Sequence, residues 1–135
     1  LIGDGFRAIN YFPNGNNVDV SPFVLLDAFS ANEKGKGVGA HPHRGFETVT
    51  FVYDGEIAHK DSKGGSGIIR AGDIQWMTAG SGVLHQEINN SERLNGVQLW
   101  VNLPSSDKMT SPRYQALLNE SIPRKSLDER GSYLR

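Results

Sequence analysis

The chain contains no cysteine. Disulfide bonds, zinc sites with thiolate ligands and cysteine nucleophiles are therefore excluded. This absence fits a reducing compartment, and we expect the cytoplasm. Long hydrophobic runs are also missing: none approaches the roughly 20 residues that span a bilayer, so we expect no membrane partner. Positive charge is not in excess, since 14 basic residues stand against 15 acidic ones, which argues against a direct nucleic-acid partner.

Short apolar runs separated by glycine make up most of the sequence. The length of 135 residues corresponds to one domain, and most of the 16 glycines lie in its first hundred residues. This spacing is typical of an all-β sandwich or barrel. The runs that predict strands are Phe6–Ile9, Phe23–Leu26, Thr48–Tyr53, Glu56–Lys60, Ile68–Ile69, Ile74–Met77 and Val97–Val101.

Helix signals are scarce and occur late in the chain. Ser111 precedes Pro112 in the order expected for an N-cap and a first-turn proline, which predicts a helix from Pro112 to about Asn119. Asp54-Gly55 predicts a two-residue hairpin turn between strands. The large apolar residues that the pattern assigns to core packing are Trp76, Met77 and Trp100.

Two pairs of polar residues have the spacing that places side chains on one face of a strand. His41 and His43 form the first pair, and His85 and Glu87 form the second. A single pair of histidines can arise by chance, but strands of an antiparallel barrel can bring two such pairs together. Three imidazoles and one carboxylate suit iron, nickel, manganese, copper or zinc. The spacing therefore predicts a site for one divalent metal ion.

The alternation of side chains along the strands does not determine the roles of three other polar residues. Glu47 lies four residues after His43, so it too can face inward. His59 shares a face with Asp61, and we interpret it as a strand-edge histidine that is oriented by this neighbour. The alternative is that His59 orients one of the metal ligands. Gln98 lies in mid-strand and points either into a polar cavity or at solvent.

Longer motifs around these pairs resemble a known family. The residues that match the two cupin motifs are Gly35, His41, His43 and Glu47 in the first and Gly82, His85 and Asn89 in the second. The stretches HPHRGFETVTFVYDGEIAHKDSKGG, AGDIQWMTAGSGVLHQE, GVQLWVNLPSSDKM and SPRYQALLNESIP closely resemble the pirin branch of the cupin superfamily over nearly the whole chain. The resemblance implies an all-β fold, a cupin-type antiparallel β-barrel or jelly roll with a short C-terminal helix.

The resemblance also implies a domain organisation. Residues 1–104 are expected to form the cupin barrel with the metal site, and residues 105–135 a short helix and a linker-like tail. Pirins have two cupin halves, and the chain is similar to the N-terminal, metal-binding half. Because a second barrel would otherwise shield apolar surface, we expect a homodimer.

The function that the resemblance implies is an Fe(II)-dependent dioxygenase acting on flavonols such as quercetin. In that case a small aromatic molecule is the substrate, His41, His43, His85 and Glu87 are the ligands of Fe(II), and Glu87 also takes the substrate's hydroxyl proton. Glu47 would then support the site or pair with Arg44. The alternative is a regulatory protein that binds transcription factors according to the state of its iron. A cupin with another metal and reaction is a third interpretation.

Overall fold

Runs of β-branched and aromatic residues form strands along most of the chain. The structure is a computed structural model that describes residues 5–13, 15, 19–128, 130–131 and 133–134. The strands in this part are β1 (Phe6–Phe12), β2 (Phe23–Ala31), β3 (Gly37–His43), β4 (Phe46–Asp54), β5 (Glu56–Asp61), β6 (Ser66–Arg70), β7 (Ile74–Thr78), β8 (Val83–Asn89), β9 (Leu94–Asn102), β10 (Arg113–Leu117), β11 (Lys125–Ser126) and β12 (Tyr133–Leu134).

Two antiparallel sheets enclose the interior. One has six strands in the order β1-β2-β9-β4-β7-β10, and the other has four in the order β3-β8-β5-β6. Strands β11 and β12 pair separately as a short ribbon. The order within each sheet places strands that are distant in sequence side by side, as in a jelly roll. The prediction of an all-β antiparallel fold is therefore confirmed.

Apolar side chains from both sheets meet between them. The residues of the larger cluster are Phe6, Phe29, Ala31, Val52, Ile57, Ile69 and Leu94. Alternation along β4 shows how the sequence produces this arrangement: Thr48, Thr50 and Val52 are buried, whereas Tyr53 is exposed. Every second residue of a strand thus faces the interior, and inward polar residues are enclosed together with the apolar ones.

The expected helix from Pro112 to about Asn119 is wrong. Its residues form strand β10, which pairs with the edge of β7, and the only helical turn among the described residues is the 3₁₀ turn Asn119–Ser121. The physical reason is tertiary. Tyr114 packs against the cluster of Met77, Ala79 and Val83, and pairing with β7 satisfies the backbone of the segment.

The turn at Asp54-Gly55 is not a hairpin. Strand β4 before it pairs with β7 and β9, whereas β5 after it pairs with β6 and β8, so the chain crosses here from one sheet to the other. Gly55 has a φ of 84°, and a Cβ atom at this position would collide with the carbonyl oxygen of Arg93. In the part of the chain that the structure describes, no helix has the length and apolar character needed to cross a membrane.

Candidate metal centre

Pairing between β3 and β8 brings the two predicted residue pairs together. His41 lies directly opposite His85 in the register, and His43 lies opposite Val83. The nitrogen atoms that His41, His43 and His85 can offer to a metal all lie within 4.8 Å of one another. The three histidines therefore form a cluster that can bind a metal ion.

The orientation of His41 is set by its own strand. Its Nδ1 lies 2.7 Å from the carbonyl oxygen of Gly39, so Nδ1 carries the proton and donates it to that oxygen. Nε2 then holds a lone pair and lies 3.0 Å from Nε2 of His85. Two imidazole nitrogens facing each other at this distance fit a shared cation, because a metal ion accepts a lone pair from each.

The buried nitrogens of the other two histidines support the same conclusion. Both ring nitrogens of His43 and Nδ1 of His85 are buried and lack a hydrogen-bond partner among the described residues. A buried polar group without a partner costs about 1–3 kcal/mol. A metal ion engaging one nitrogen of each ring would offset part of this cost, so the donor set fits the predicted divalent ion.

Burial also sets the protonation state of these rings. Burial, with a smaller contribution from the neighbouring His41, lowers the pKa of His43 to about 4. Burial, followed by repulsion from His43 and His41, lowers the pKa of His85 to about 3. Both rings are therefore neutral at neutral pH, which is the form of imidazole that binds metals.

Glu87 is buried on the inner face of β8, two residues after His85. Its carboxylate is not part of the set of atoms within 4.8 Å, and both of its oxygens lie 3.3 Å from Nε2 of Gln98. Burial raises the pKa of Glu87, and the hydrogen bond from Gln98 opposes this rise. The role of Glu87 as the fourth ligand stays a prediction.

Glu47 lies on the opposite side of the six-stranded sheet from the histidines. It accepts a hydrogen bond of 2.7 Å from Oγ1 of Thr78 and lines a shallow outer groove with Arg113. The chain passes from the four-stranded sheet to the six-stranded sheet at Gly45, which has a φ of 77°, so the alternation does not continue from His43 to Glu47. The expected partner of Glu47, Arg44, instead contacts Sδ of Met109.

The interpretation of His59 as a strand-edge histidine is wrong, because β5 lies between β8 and β6. His59 is directly opposite Glu87 in the register, so its side chain faces the interior as that of Glu87 does. Its ring stacks on Tyr114 at a centroid distance of 5.4 Å, and burial lowers its pKa. Asp61 accepts hydrogen bonds from the backbone N–H groups of Lys63 and Gly65 and so holds the turn between β5 and β6. Sequence reasoning missed Tyr114 as a neighbour because its segment was predicted to be helical.

A cavity of about 430 Å³ opens beside the histidines. Its apolar lining consists of Phe6, Ala8, Leu25, Phe29, Val38, Pro42, Ile57, Ile88, Leu94 and Trp100. Its polar lining consists of Asp27, His41, His43, Glu87, Asn89 and Gln98. An apolar chamber with a few converging polar groups is the usual form of a small-molecule site, and this size falls within the range of about 300–1,000 Å³ for such sites.

Trp100 and Gln98 connect the cavity to the histidines. Trp100 donates a hydrogen bond of 2.9 Å from Nε1 to Oε1 of Gln98, and its ring packs edge-on against His43 at 5.2 Å. Trp100 was assigned to core packing, but it lines the cavity, whereas Met77 is fully buried as predicted. Trp76 lies on the outer face and is 36% exposed.

Comparison with known families agrees with this architecture. Residues 5–101 match the family described as Pirin. The chain belongs to the pirin family. A Pseudomonas aeruginosa protein provisionally named as a quercetin 2,3-dioxygenase is 53% identical to it, and the match covers 99% of this chain and 51% of that protein.

Two solved structures have the same fold as this chain. A quercetin 2,3-dioxygenase from Acinetobacter baumannii is 50% identical, with a TM-score of 0.89 over 98% of this chain and 50% of that one. A bacterial pirin from Escherichia coli, solved in complex with nickel(II), is 31% identical, with a TM-score of 0.71 over 83% of this chain and 50% of that one. The chain thus spans about half the length of the relatives that it matches.

Proposed function

We propose that this pirin chain carries the metal centre of an Fe(II)-dependent dioxygenase acting on flavonol-type substrates such as quercetin. The observation that carries the proposal is the opening of a buried histidine cluster onto an apolar cavity of about 430 Å³. The names of the relatives in Pseudomonas and Acinetobacter support the same reaction class. The absence of cysteine supports a cytoplasmic location.

The ligands in this proposal are His41, His43, His85 and Glu87. Neutral imidazoles and a carboxylate suit Fe(II), and the nickel(II) complex of a bacterial pirin supports a divalent ion in this fold. Bound there, the ion would supply Lewis acidity and redox chemistry. With only four protein ligands, the ion would keep coordination positions open for a substrate.

The chain's own residues would bind and orient the substrate. The apolar lining excludes water and contacts a flat aromatic molecule, with Trp100 beside His43 at the polar end. Glu87 would accept the hydroxyl proton of the substrate at a carboxylate oxygen. Burial raises the pKa of Glu87, which brings its basicity closer to that needed for proton transfer near neutral pH.

Oxygen consumption tests this function. The chain is purified without added metal, its metal content is measured, and it is then loaded with Fe(II) under anaerobic conditions. We expect oxygen uptake with a panel of flavonols above that of free iron, and its loss in His85→Ala. Tight Fe(II) binding without uptake for any flavonol would overturn the enzymatic proposal and favour the regulatory alternative.

A further inference from the structure

Gln98 lies between the carboxylate of Glu87 and the indole of Trp100. Its Nε2 is 3.3 Å from each carboxylate oxygen of Glu87 and 3.1 Å from Oγ1 of Thr50. Its Oε1 accepts the 2.9 Å hydrogen bond from Nε1 of Trp100. The side-chain amide thus contacts three neighbours from strands β8, β4 and β9.

The indole determines which way the amide points. An indole nitrogen only donates hydrogen bonds, so the atom of Gln98 that faces it must be the oxygen. The NH₂ group then faces Glu87 and Thr50, where acceptor oxygens are present. If the amide were reversed, its oxygen would face the carboxylate of Glu87 and its NH₂ would face the N–H of Trp100, and both contacts would be repulsive.

Trp100 is itself fixed by packing at the metal centre. Its ring stacks on Phe46 at 4.5 Å with an interplanar angle of 23°, and it meets the ring of His43 edge-on at 88°. One indole therefore touches His43, on β3, and orients the amide that contacts Glu87, on β8. The two residue pairs of the site are linked through β9, a strand that contributes no metal ligand to the proposed set.

We propose that Gln98 and Trp100 are positioning residues of the metal centre. The indole N–H of Trp100 fixes the amide of Gln98, and the amide holds the carboxylate of Glu87 in the orientation that metal binding requires. This inference rests on the proposed function, since it takes Glu87 to be a ligand. Partners that orient metal ligands in this way typically change metal affinity by about 10- to 100-fold when they are removed.

The test compares matched variants by metal affinity and by the visible spectrum of the Co(II)-loaded protein. Gln98→Leu removes the amide, and Trp100→Phe retains an aromatic ring but removes the N–H. Gln75→Leu is the control, because Gln75 is buried on the other side of Thr50 in the same cross-strand row and lies outside the cavity lining. We expect affinity to fall about 10- to 100-fold in both test variants and to stay unchanged in the control.

A double-mutant comparison separates positioning from a general structural effect. If Gln98 acts through Glu87, Gln98→Leu should weaken metal binding in the native background and add little in a Glu87→Ala background. The Co(II) spectrum of Gln98→Leu should resemble that of Glu87→Ala. Equal losses in both backgrounds would overturn the inference. Thermal unfolding of the metal-free variants identifies any that fail to fold, and Trp100→Phe then takes the place of Gln98→Leu.

The two proposals fail in different ways. If Glu87→Ala leaves metal affinity unchanged, the ligand set of the proposed function is wrong, and the positioning role is overturned with it. If Glu87→Ala weakens binding but Gln98→Leu and Trp100→Phe do not, only the positioning role is overturned. Reduced affinity in all three, with the control unchanged, supports both.

Discussion

Buried imidazoles define this site at the scale of single residues. His43 and His85 are only 3% and 2% exposed, and the register places His85 directly opposite His41. The enclosure lowers the pKa of His43 and of His85 and so keeps these two rings neutral, and both nitrogens of His43 and Nδ1 of His85 have no hydrogen-bond partner among the described residues. Metal binding and proton binding therefore compete for the same buried lone pairs.

Each histidine of the cluster should be required for metal binding. We expect one metal ion per chain, and replacement of His41, His43 or His85 by Ala should weaken affinity by more than about 100-fold, because loss of a direct ligand exceeds loss of a partner that orients one. Elemental analysis and calorimetric titration measure the stoichiometry and affinity. Full occupancy in any two of these variants would falsify the assignment.

The two glutamates near the histidines in sequence should differ in effect. Glu87→Ala should weaken metal affinity by more than about tenfold, since its carboxylate lines the cavity beside the histidines. Glu47→Ala is the matched control, because Glu47 contacts Thr78 on the outer face. The same calorimetric titration distinguishes them, and a larger loss in Glu47→Ala would show that the carboxylate assignment is reversed.

Acidification should destabilise the metal-free protein. The folded-state pKa values of His43 and His85, about 4 and about 3, lie below the value of 6.5 for an unperturbed histidine. As the pH falls below that value, the unfolded chain takes up these protons first. The free energy of unfolding should then decrease by up to about 1.4 kcal/mol per pH unit for each histidine, until the folded pKa is reached.

Urea unfolding in the presence of a chelator, between about pH 7.5 and about pH 5, measures this dependence. Protonation of Glu87 has the opposite effect on the free energy of unfolding. Burial raises the folded-state pKa of Glu87, so the folded chain takes up this proton first and is stabilised as the pH falls. His85→Asn removes one of the two buried rings and should show a shallower decrease in stability. Identical slopes for this variant and the native protein would contradict the prediction.

At the scale of the elements, the close approach of β3 to β8 depends on a glycine. A Cβ atom on Gly37 would collide with the carbonyl oxygen of Glu87 and would lie 2.8 Å from Cα of Ile88. Glycine at this position therefore lets the strand that carries His41 reach the strand that carries His85. On the same strand, a Cβ atom on Gly39 would meet nothing within 4 Å.

These two glycines provide a matched test. Gly37→Ala should destabilise the fold by about 1–3 kcal/mol, because the added methyl group meets backbone rather than a side chain that can move aside. It should also weaken metal binding, since it separates β3 from β8. Gly39→Ala should leave both properties nearly unchanged. Chemical unfolding and metal titration check the pair, and equal behaviour of the two variants would contradict the role given to Gly37.

At the scale of the whole molecule, exposed apolar side chains on strands β1 and β2 offer a surface for association. Ile9 and Tyr11 on β1 are 65% and 55% exposed, and Val24 on the neighbouring strand β2 is 40% exposed. Ile9 alternates with the inward residues of β1, so it lies on the outer face of the six-stranded sheet, and Tyr11 and Val24 are exposed at positions where the register of these strands shifts. A group of exposed apolar side chains tends to find a partner.

We therefore propose that the chain forms a two-fold homodimer in solution. Light scattering at tens of micromolar should give a mass twice that of one chain, which is 14.8 kDa. Replacing Ile9 and Tyr11 by Lys should favour the monomer if the outer face holds the dimer, whereas deletion of residues 121–135 should do so if the C-terminal segment holds it. A monomeric native chain would show that neither surface associates.

The sequence by itself determined the class of fold and the placement of each polar pair on one face of its strand. Glycine-separated apolar runs specified strands, and the i, i+2 spacing of His41 with His43 and of His85 with Glu87 placed each pair on one face. Both inferences succeeded because side-chain alternation along a strand is a local property of the backbone. The longer motifs around these pairs indicated the pirin family, to which the chain belongs.

The tertiary structure alone decided which strands are neighbours. A local Ser-Pro signal predicted a helix where the free edge of β7 accepts β10, because pairing with a distant strand outweighs a weak local preference. The passage between the two sheets at Gly45 placed Glu47 on the outer face, which a count of residues from His43 did not reveal. The contact of Trp100 and Gln98 with the two residue pairs exists only because the sheets close around one interior, and no spacing within β9 encodes what lies across that interior.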